Sequence, residues 1–319
     1  MRPRNEIPVF FTIDDAYAPY LAVALRSAID NASPTRTYRA VILHQGLSEE
    51  NVRRLGAMAT EFFAVDFIPM GDGLSAITDR MSNRLRCDYF TLTIYFRLFI
   101  PAMFPEYDKA IYVDSDVAVT GDLAELFDTD LCGKYVGACN DLSVQDVPPL
   151  CRYMEEAVGV SRHEYINSGV LLMDLRALRE VQLDQRFLEL LTTYHFDCIA
   201  PDQDYLNAML NGKIHYLGEE WDAMPAEGRP PLATPKLIHY NLFSKPWCYD
   251  NVPYGDVFWH YAEKTEYIDE IRAYKDAYSE EKKAKDRECA ALLARRGAEI
   301  AEGELTFRSA AEKGVSIRL

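Results

Sequence analysis

In the first 68 residues, short apolar runs alternate with helix-patterned stretches, and this alternation constrains the fold more than any other feature. Ile7 to Ile13 is a compact apolar run that ends in the acidic pair Asp14-Asp15. Tyr20 to Ile29 then places Leu21, Ala24, Leu25 and Ala28 on one face at helical spacing. Arg39 to Leu43 reads as a second strand, Ser48 as the cap of a following helix, and Phe62 to Ile68 as a third strand. Strands separated by helices cannot close as tight hairpins, so they pair side by side with helices over both faces. The expected class is α/β, with a largely parallel sheet.

The pattern continues downstream. Residues 91–104, TLTIYFRLFIPAMF, are too apolar all round for a surface helix. They read as a buried helix interrupted by Pro101, with Arg97 as its one charge. Lys109 to Val113 is a buried strand running directly into Asp114-Ser115-Asp116. Tyr135 to Cys139, Tyr165 to Met173 and Lys236 to Tyr240 read as further strands, and Asp202 to Leu210 as a helix. From Tyr254 onward the chain is rich in Glu, Lys, Ala and Tyr with few breakers, which favours helices. The expected division is therefore 1–253 as the α/β domain and 254–319 as a mixed-charge helical extension with a frayed end.

Composition removes several function classes. The 319 residues are 49% hydrophobic, enough to bury a sizeable core. Lys plus Arg is 34 against 50 for Asp plus Glu, a net charge of −16 that argues against nucleic-acid binding. Seven cysteines are scattered without a CxxC pair or zinc spacing, and read as reduced thiols in a cytoplasmic setting. The first residues lack the continuous apolar stretch of a signal peptide, and no run of about 18 uncharged apolar residues offers a transmembrane span.

The chemistry concentrates at Asp114 and Asp116. Side chains at i and i+2 of an extended segment share a face, so the two carboxylates converge at the strand's carboxyl end. Two like charges held so close call for a cation, and carboxylate oxygens suit hard divalent ions. Ligands of open α/β sheets bind at that same end of the strands. A solvated Asp-Ser-Asp turn would read alike over three residues. So would the aspartate nucleophile of a haloacid-dehalogenase-type phosphotransferase, although that motif usually opens the chain rather than following three strand-helix units. A protein that binds a nucleotide sugar without turning it over is a third reading.

Four other motifs, one of them a pair of segments, bear on the choice. FFTIDDAY ends the first strand with polar groups, and YFRL occupies 95–98. NSGVLLMDL and PDQDYLN put Asn167, Ser168, Asp202 and Gln203 beside a strand and at a helix start, and HYNLFSKPW closes a late strand with His239 and Lys245. Taken in order with the DSD motif, these segments resemble glycosyltransferase family eight, from about Ile7 to Trp247. That family includes bacterial lipopolysaccharide galactosyltransferases and glucosyltransferases, proteins like general stress protein A, and glycogenin.

The resemblance implies a GT-A type, Rossmann-like mixed sheet flanked by helices. It also implies a retaining transfer of glucose or galactose from UDP-glucose or UDP-galactose to a saccharide or glycoconjugate acceptor. By the same match, Asp114, Asp116 and His239 hold Mn²⁺, with Mg²⁺ as the alternative, and the mixed oxygen and imidazole set suits Mn²⁺ better than Ca²⁺. Thr12, Asp14 and Tyr17 would hold uracil and ribose, with Tyr17 stacking on the base. Arg97 and Ser115 would contact the donor, and Lys245 would neutralise the departing diphosphate. Asp141, Asn167 and Asp202 would surround the donor sugar, with Gln203 beneath its anomeric carbon. A neutral amide is a poor nucleophile, so a same-face ion-pair route stabilised by Gln203 is expected over a covalent one.

Two positions depart from the family's pattern. Ala16 replaces a common Asn, and Leu242 replaces a glycine; leucine takes positive φ only at a cost, so a different loop path is expected there. The acceptor is expected to meet the segments 70–90, 142–163 and 218–235. Related enzymes use C-terminal segments to reach membranes, which leaves room for peripheral contact at the inner face. The tail's mixed charge instead favours packing on the core or on a partner subunit.

Overall fold

The computed structural model describes residues 6–70, 92–225, 229–243 and 245–319. Its nine described strands are β1 (Glu6–Asp14), β2 (Thr37–Gln45), β3 (Phe63–Pro69), β4 (Lys109–Val113), β5 (Val117–Val119), β6 (Val136–Ala138), β7 (Val170–Asp174), β8 (Ile214–Tyr216) and β9 (Leu237–His239). Seven form one sheet in the order β3-β2-β1-β4-β7-β6-β8, and β5 and β9 form a separate pair. β7 runs antiparallel to both β4 and β6, while the other pairings in the large sheet are parallel. The sheet is therefore mixed, and β7 is the reversed strand among those described.

Two hydrophobic cores lie on the two faces, set by the period-two alternation of the central strands. Along β4, Ala110 and Tyr112 enter one core and Ile111 and Val113 the other. Along β1, Phe10 belongs to the first, and Val9, Phe11 and Ile13 to the second. The helix Ala18–Asn31 buries Leu21, Ala24, Leu25 and Ala28 in the second core, as its spacing predicts. The Ser48 side chain accepts from the Asn51 N–H and starts the helix Glu49–Gly56, satisfying one orphan donor of its first turn.

Segment 91–104 differs from expectation. Leu92–Leu98 is a 3₁₀ helix, and Ile100–Met103 is a separate short α-helix with Pro101 in its first turn. A proline there removes no hydrogen bond, because the N–H groups of a first turn have no intrahelical partner. The strand expected over Tyr165 to Met173 also starts later, at Val170, after a bridge between Asn140 and Ile166.

The C-terminal segment is woven into both cores. The helices Gly255–Ala262 and Ile268–Asp276 contribute Phe258, Tyr261, Ala262 and Ile271 to the second core. The long helix Glu280–Ala301 gives Leu293 and Ile300 to the first, joined by Phe307 and Ile317. Gly297 on that helix lies where a Cβ would come within 2.9 Å of Leu150 Cδ2, so the helix seats closely on the body of the fold. Leu319 ends the chain with its N–H donated to the Met209 carbonyl at 2.9 Å. No helix of the described residues is long and apolar enough to cross a membrane.

Candidate metal and donor site

The site forms where β4 runs out of apolar residues. Asp114, Ser115 and Asp116 emerge at its carboxyl end, and the Asp114 N–H donates to the Gly169 carbonyl at 2.7 Å, tying this end to the start of β7. β5 then pairs antiparallel with β9, Val117 opposite His239. That register, fixed further by Tyr240 N–H donating to the Asp116 carbonyl at 2.9 Å, carries the imidazole to the acidic pair.

One ligand atom from each of Asp114, Asp116 and His239 lies within 4.8 Å of the others. His239 Nε2 is 3.3 Å from the Asp116 carboxylate and 3.9 Å from that of Asp114. Its Nδ1 is 3.0 Å from Asp222 Oδ1, which orients the ring as an outer-shell carboxylate orients a metal-binding histidine. The other Asp222 oxygen is buried with no hydrogen-bond partner. Gly169 completes the cradle, since a Cβ there would come 2.3 Å from His239 Cε1 and 2.8 Å from Asp114 Oδ2. Two carboxylates, a tethered imidazole and a missing side chain fit a divalent ion.

Electrostatics are tightly coupled here. Burial pushes the Asp116 carboxyl up, but Lys245 and His239 outweigh it and hold the group well below the usual range. Burial lowers His239, and the flanking Asp116 and Asp222 overcome that and raise it. Lys245 Nζ sits on Asp116 Oδ2. Trp247 in the same loop stacks on Tyr20, with centroids 4.2 Å apart, and anchors the lysine's loop to the helix Ala18–Asn31.

Arg97 joins three segments. Its guanidinium donates to Asp114 Oδ1 at 2.9 Å and to the Ser168 carbonyl at 2.6 Å, lies 3.2 Å from Asp202 Oδ2, and covers the Tyr112 ring at 4.3 Å. The anionic partner that a buried cation requires is thus supplied twice. Tyr112 also donates to Asp114 Oδ1 at 2.6 Å. Asp202 is raised by burial, with Asp114 adding to the effect and Arg97 opposing it.

Two adjoining cavities open on these groups. The smaller, about 200 Å³, is bounded by Thr12, Asp14, Tyr17, Arg97, Ser115 and Asp116. The larger, about 360 Å³, is bounded by Asn167, Asp202, Gln203 and His239 on one part of its wall. Tyr17, Arg97 and Asp114 border both. Tyr17 is 39% exposed, and its N–H donates to Asp14 Oδ1 at 3.2 Å, which caps the turn Asp15–Tyr17. Ala16 lies exposed in that turn and borders neither cavity.

Asp141 departs from the expected direct contact with a sugar. It is fully buried, accepting from Gln203 Nε2 at 2.9 Å and Asn167 Nδ2 at 3.3 Å, and borders neither cavity. It reaches the larger cavity through those two side chains. Leu242 also departs from expectation: it adopts φ 58°, the left-handed conformation natural to the glycine it replaces, so the loop keeps that backbone conformation. The expected acceptor segment 70–90 lies, from residue 71 on, outside the described residues, as do 226–228 of the segment 218–235.

The model of glycosyl transferase family 8 matches residues 8–251. The chain belongs to this family. The resemblance carried by the five ordered motifs is thereby borne out, and the aspartate-nucleophile alternative is set aside. General stress protein A of Bacillus subtilis is 23% identical over 288 residues, covering 84% of this chain and 96% of that protein. Lipopolysaccharide 1,2-glucosyltransferase of Escherichia coli is 27% identical over 184 residues, covering 52% of this chain and 53% of that enzyme. A Haemophilus influenzae protein named as a glycosyltransferase is 28% identical over 220 residues, and the match spans 64% of its length. Galactosyltransferase LgtC, solved with donor and acceptor sugar analogues, superposes with TM-score 0.69 at 26% identity, covering 84% of this chain and all of that one. The bifunctional glycosyltransferase WbbM, at 22% identity and TM-score 0.74, shares the fold over 87% of this chain and 53% of its own. The family 8 chain is a glycosyltransferase of GT-A fold.

Asp222 and Gly169 are absent from the sequence reading as site residues. Asp222 falls in a segment read as a variable acceptor loop, and the pairing that places it, Ala223 against Ile238, is visible only in three dimensions. Gly169 stands inside the quoted NSG motif, and its lack of a side chain was the available signal.

Proposed function

We propose that this chain is a divalent-metal-dependent, retaining hexosyltransferase that moves glucose or galactose from a UDP-sugar to a saccharide or glycoconjugate acceptor. The observation that carries the reading is the junction of the two cavities at Asp114 and Arg97, beside a metal-ligating triad. The smaller cavity takes the uridine: Thr12 and Asp14 supply polar partners and Tyr17 a ring for stacking. Ser115 lies at the same wall, within reach of the diphosphate. Asp114, Asp116 and His239 would hold Mn²⁺, or Mg²⁺ in its place, and the bound ion supplies positive charge against the leaving diphosphate.

The donor sugar occupies the larger cavity. Asn167 and Asp202 face it with groups that bond hydroxyls. Gln203 is held at both ends, its Oε1 accepting from the Ser168 N–H at 3.1 Å and its Nε2 donating to Asp141. An amide so committed is a stabiliser rather than a nucleophile, which favours departure and attack on the same face. Lys245, released from Asp116, would neutralise the diphosphate as it leaves. The described cysteines are free thiols, and a cytoplasmic setting is part of the proposal.

Thermal unfolding with UDP and Mn²⁺, followed by turnover of UDP-glucose and UDP-galactose, tests the reading. A ligand at ~100 times its Kd should stabilise the wild type by about 2.7 kcal/mol. Stabilisation should need both components and vanish in Asp116→Asn. Binding without turnover of either donor would leave a nucleotide-sugar-binding protein, and no response to UDP with Mn²⁺ would overturn the proposal outright.

A further inference from the structure

Part of the larger cavity's wall comes from an unexpected source. Besides Leu242 and Phe243, it is built by Lys285, Asp286 and Cys289 of the long C-terminal helix Glu280–Ala301. These residues recur at the spacing of one helix face, so the helix turns a continuous polar strip into the same space that Asn167, Asp202 and Gln203 border. We infer that this strip is the acceptor-binding wall, and that Asp286 is its specificity-determining residue for the hydroxyls of an uncharged saccharide. The inference rests on the proposed transfer reaction and adds the acceptor subsite to it.

Asp286 is built for that task. Tyr249 Oη donates to its Oδ2 at 2.6 Å and Tyr278 Oη at 2.7 Å, so one carboxylate oxygen is fixed by two phenols. The remaining oxygen can accept from a saccharide hydroxyl while the side chain stays locked in one rotamer, the preorganisation that makes a hydrogen bond selective. Tyr249 belongs to the loop of Lys245, since its N–H donates to the Lys245 carbonyl at 3.0 Å. Acceptor and leaving-group residues are therefore linked through a single tyrosine.

The charge around the cavity selects the acceptor's class. Arg97 is already engaged by Asp114 and Asp202, and Lys285 stands beside Asp286 on the helix. Arg97 and Lys285 are the two Lys or Arg side chains among the described residues that bound the cavity, and the first is committed to two carboxylates, which leaves this wall better matched to a neutral sugar than to an anion.

Cys289 reports on occupancy of this wall. Iodoacetamide alkylation of Cys289 in the full-length protein would be followed by mass spectrometry, with exposed Cys132 as internal reference. The ligands would be UDP with Mn²⁺, alone and then with maltose, cellobiose or lactose at high millimolar concentration. UDP with Mn²⁺ should leave the Cys289 rate unchanged relative to Cys132, and at least one disaccharide should slow it several-fold. Asp286→Asn keeps an oxygen for the two phenols, so it should retain the UDP-dependent thermal shift and lose the disaccharide protection. Shielding by UDP alone, no shielding by any of the three sugars, or unchanged protection in Asp286→Asn would each overturn the inference. A wild type that shows no thermal shift with UDP and Mn²⁺ would instead overturn the transferase reading beneath it.

Discussion

Replacing Gly169 by alanine should take the metal site apart while leaving the fold standing. The new Cβ would lie 2.3 Å from His239 Cε1, 2.8 Å from Asp114 Oδ2 and 2.9 Å from Asn167 Oδ1. Ordinary carbon contacts begin near 3.5 Å, so the imidazole would have to retreat by about 1.2 Å. It has little room to do so, because Nδ1 is held by Asp222 at 3.0 Å and the His239 N–H donates to the Ala223 carbonyl at 2.9 Å. Metal–ligand distances tolerate only about 0.2 Å, so a displacement of that size breaks the ligand set. Overpacking should lower the unfolding free energy by about 1–3 kcal/mol, read from urea denaturation. Mn²⁺ affinity, read by electron paramagnetic resonance titration, should fall by at least the roughly 10–100-fold seen when outer-shell partners are lost. Gly137→Ala is the control: its Cβ would press on Leu131 Cδ2 at 3.0 Å, in β6, and should cost stability without touching Mn²⁺ binding. Wild-type Mn²⁺ affinity in Gly169→Ala would refute the assignment of His239 and Asp114 as joint ligands.

Three further outcomes are expected. Asp222→Asn should weaken Mn²⁺ binding about 10–100-fold by releasing the His239 ring, and equal affinity by the same titration would show that the ring needs no such tether. Arg97→Met leaves the buried Asp202 and half-buried Asp114 carboxylates without their shared cation and should cost about 3–5 kcal/mol in urea unfolding; a cost under about 1 kcal/mol would place the pair among ordinary surface ion pairs. Burial raises Asp30, but Lys264 and Arg26 outweigh it and hold its folded pKa below the ordinary value. Its contribution is therefore complete above the ordinary carboxylate range and is lost as pH falls through the lowered folded value. The stability deficit of Lys264→Met should shrink on acidification over that window, and a deficit independent of pH would contradict it.

Features set by local chemistry were legible before the structure. The strands β1 to β4, the Ser48 cap and the helix Pro201–Leu210 follow from apolar periodicity and side-chain capping over a few residues. The Asp114-Ser115-Asp116 turn was legible for the same reason: an apolar strand must end, and polar residues mark the end. Strand direction was less accessible. The reversal of β7 depends on how the chain travels between Val119 and Val170, and its own residues would suit either orientation. The tail's helices and its packing on the core were legible in kind, but the contacts were not, because charged residues dominate its composition although Leu293, Gly297 and Ile300 keep the i, i+4, i+7 spacing of a buried face. Leu242 shows the limit of propensity: left-handed backbone costs a leucine about 1–2 kcal/mol, and the fold imposes it nonetheless.

The pairing of β5 with β9 also governs when the protein acquires its chemistry during synthesis. β1, β2, β3 and β4 all lie before residue 114, and their shared register can form as soon as that stretch has left the ribosome. β5 leaves soon after, but its partner β9 ends at His239, and at about 5–20 residues per second the intervening stretch takes roughly 6–24 s to make. Through that interval β5 carries an open edge, and Asp116 awaits both of its cationic neighbours, His239 and Lys245. Those two residues then emerge almost together, closing the edge and supplying the missing charge in a single event. A nascent chain stalled before residue 239 is a sheet without the Asp114, Asp116 and His239 cluster, and that cluster is completed only when β9 arrives.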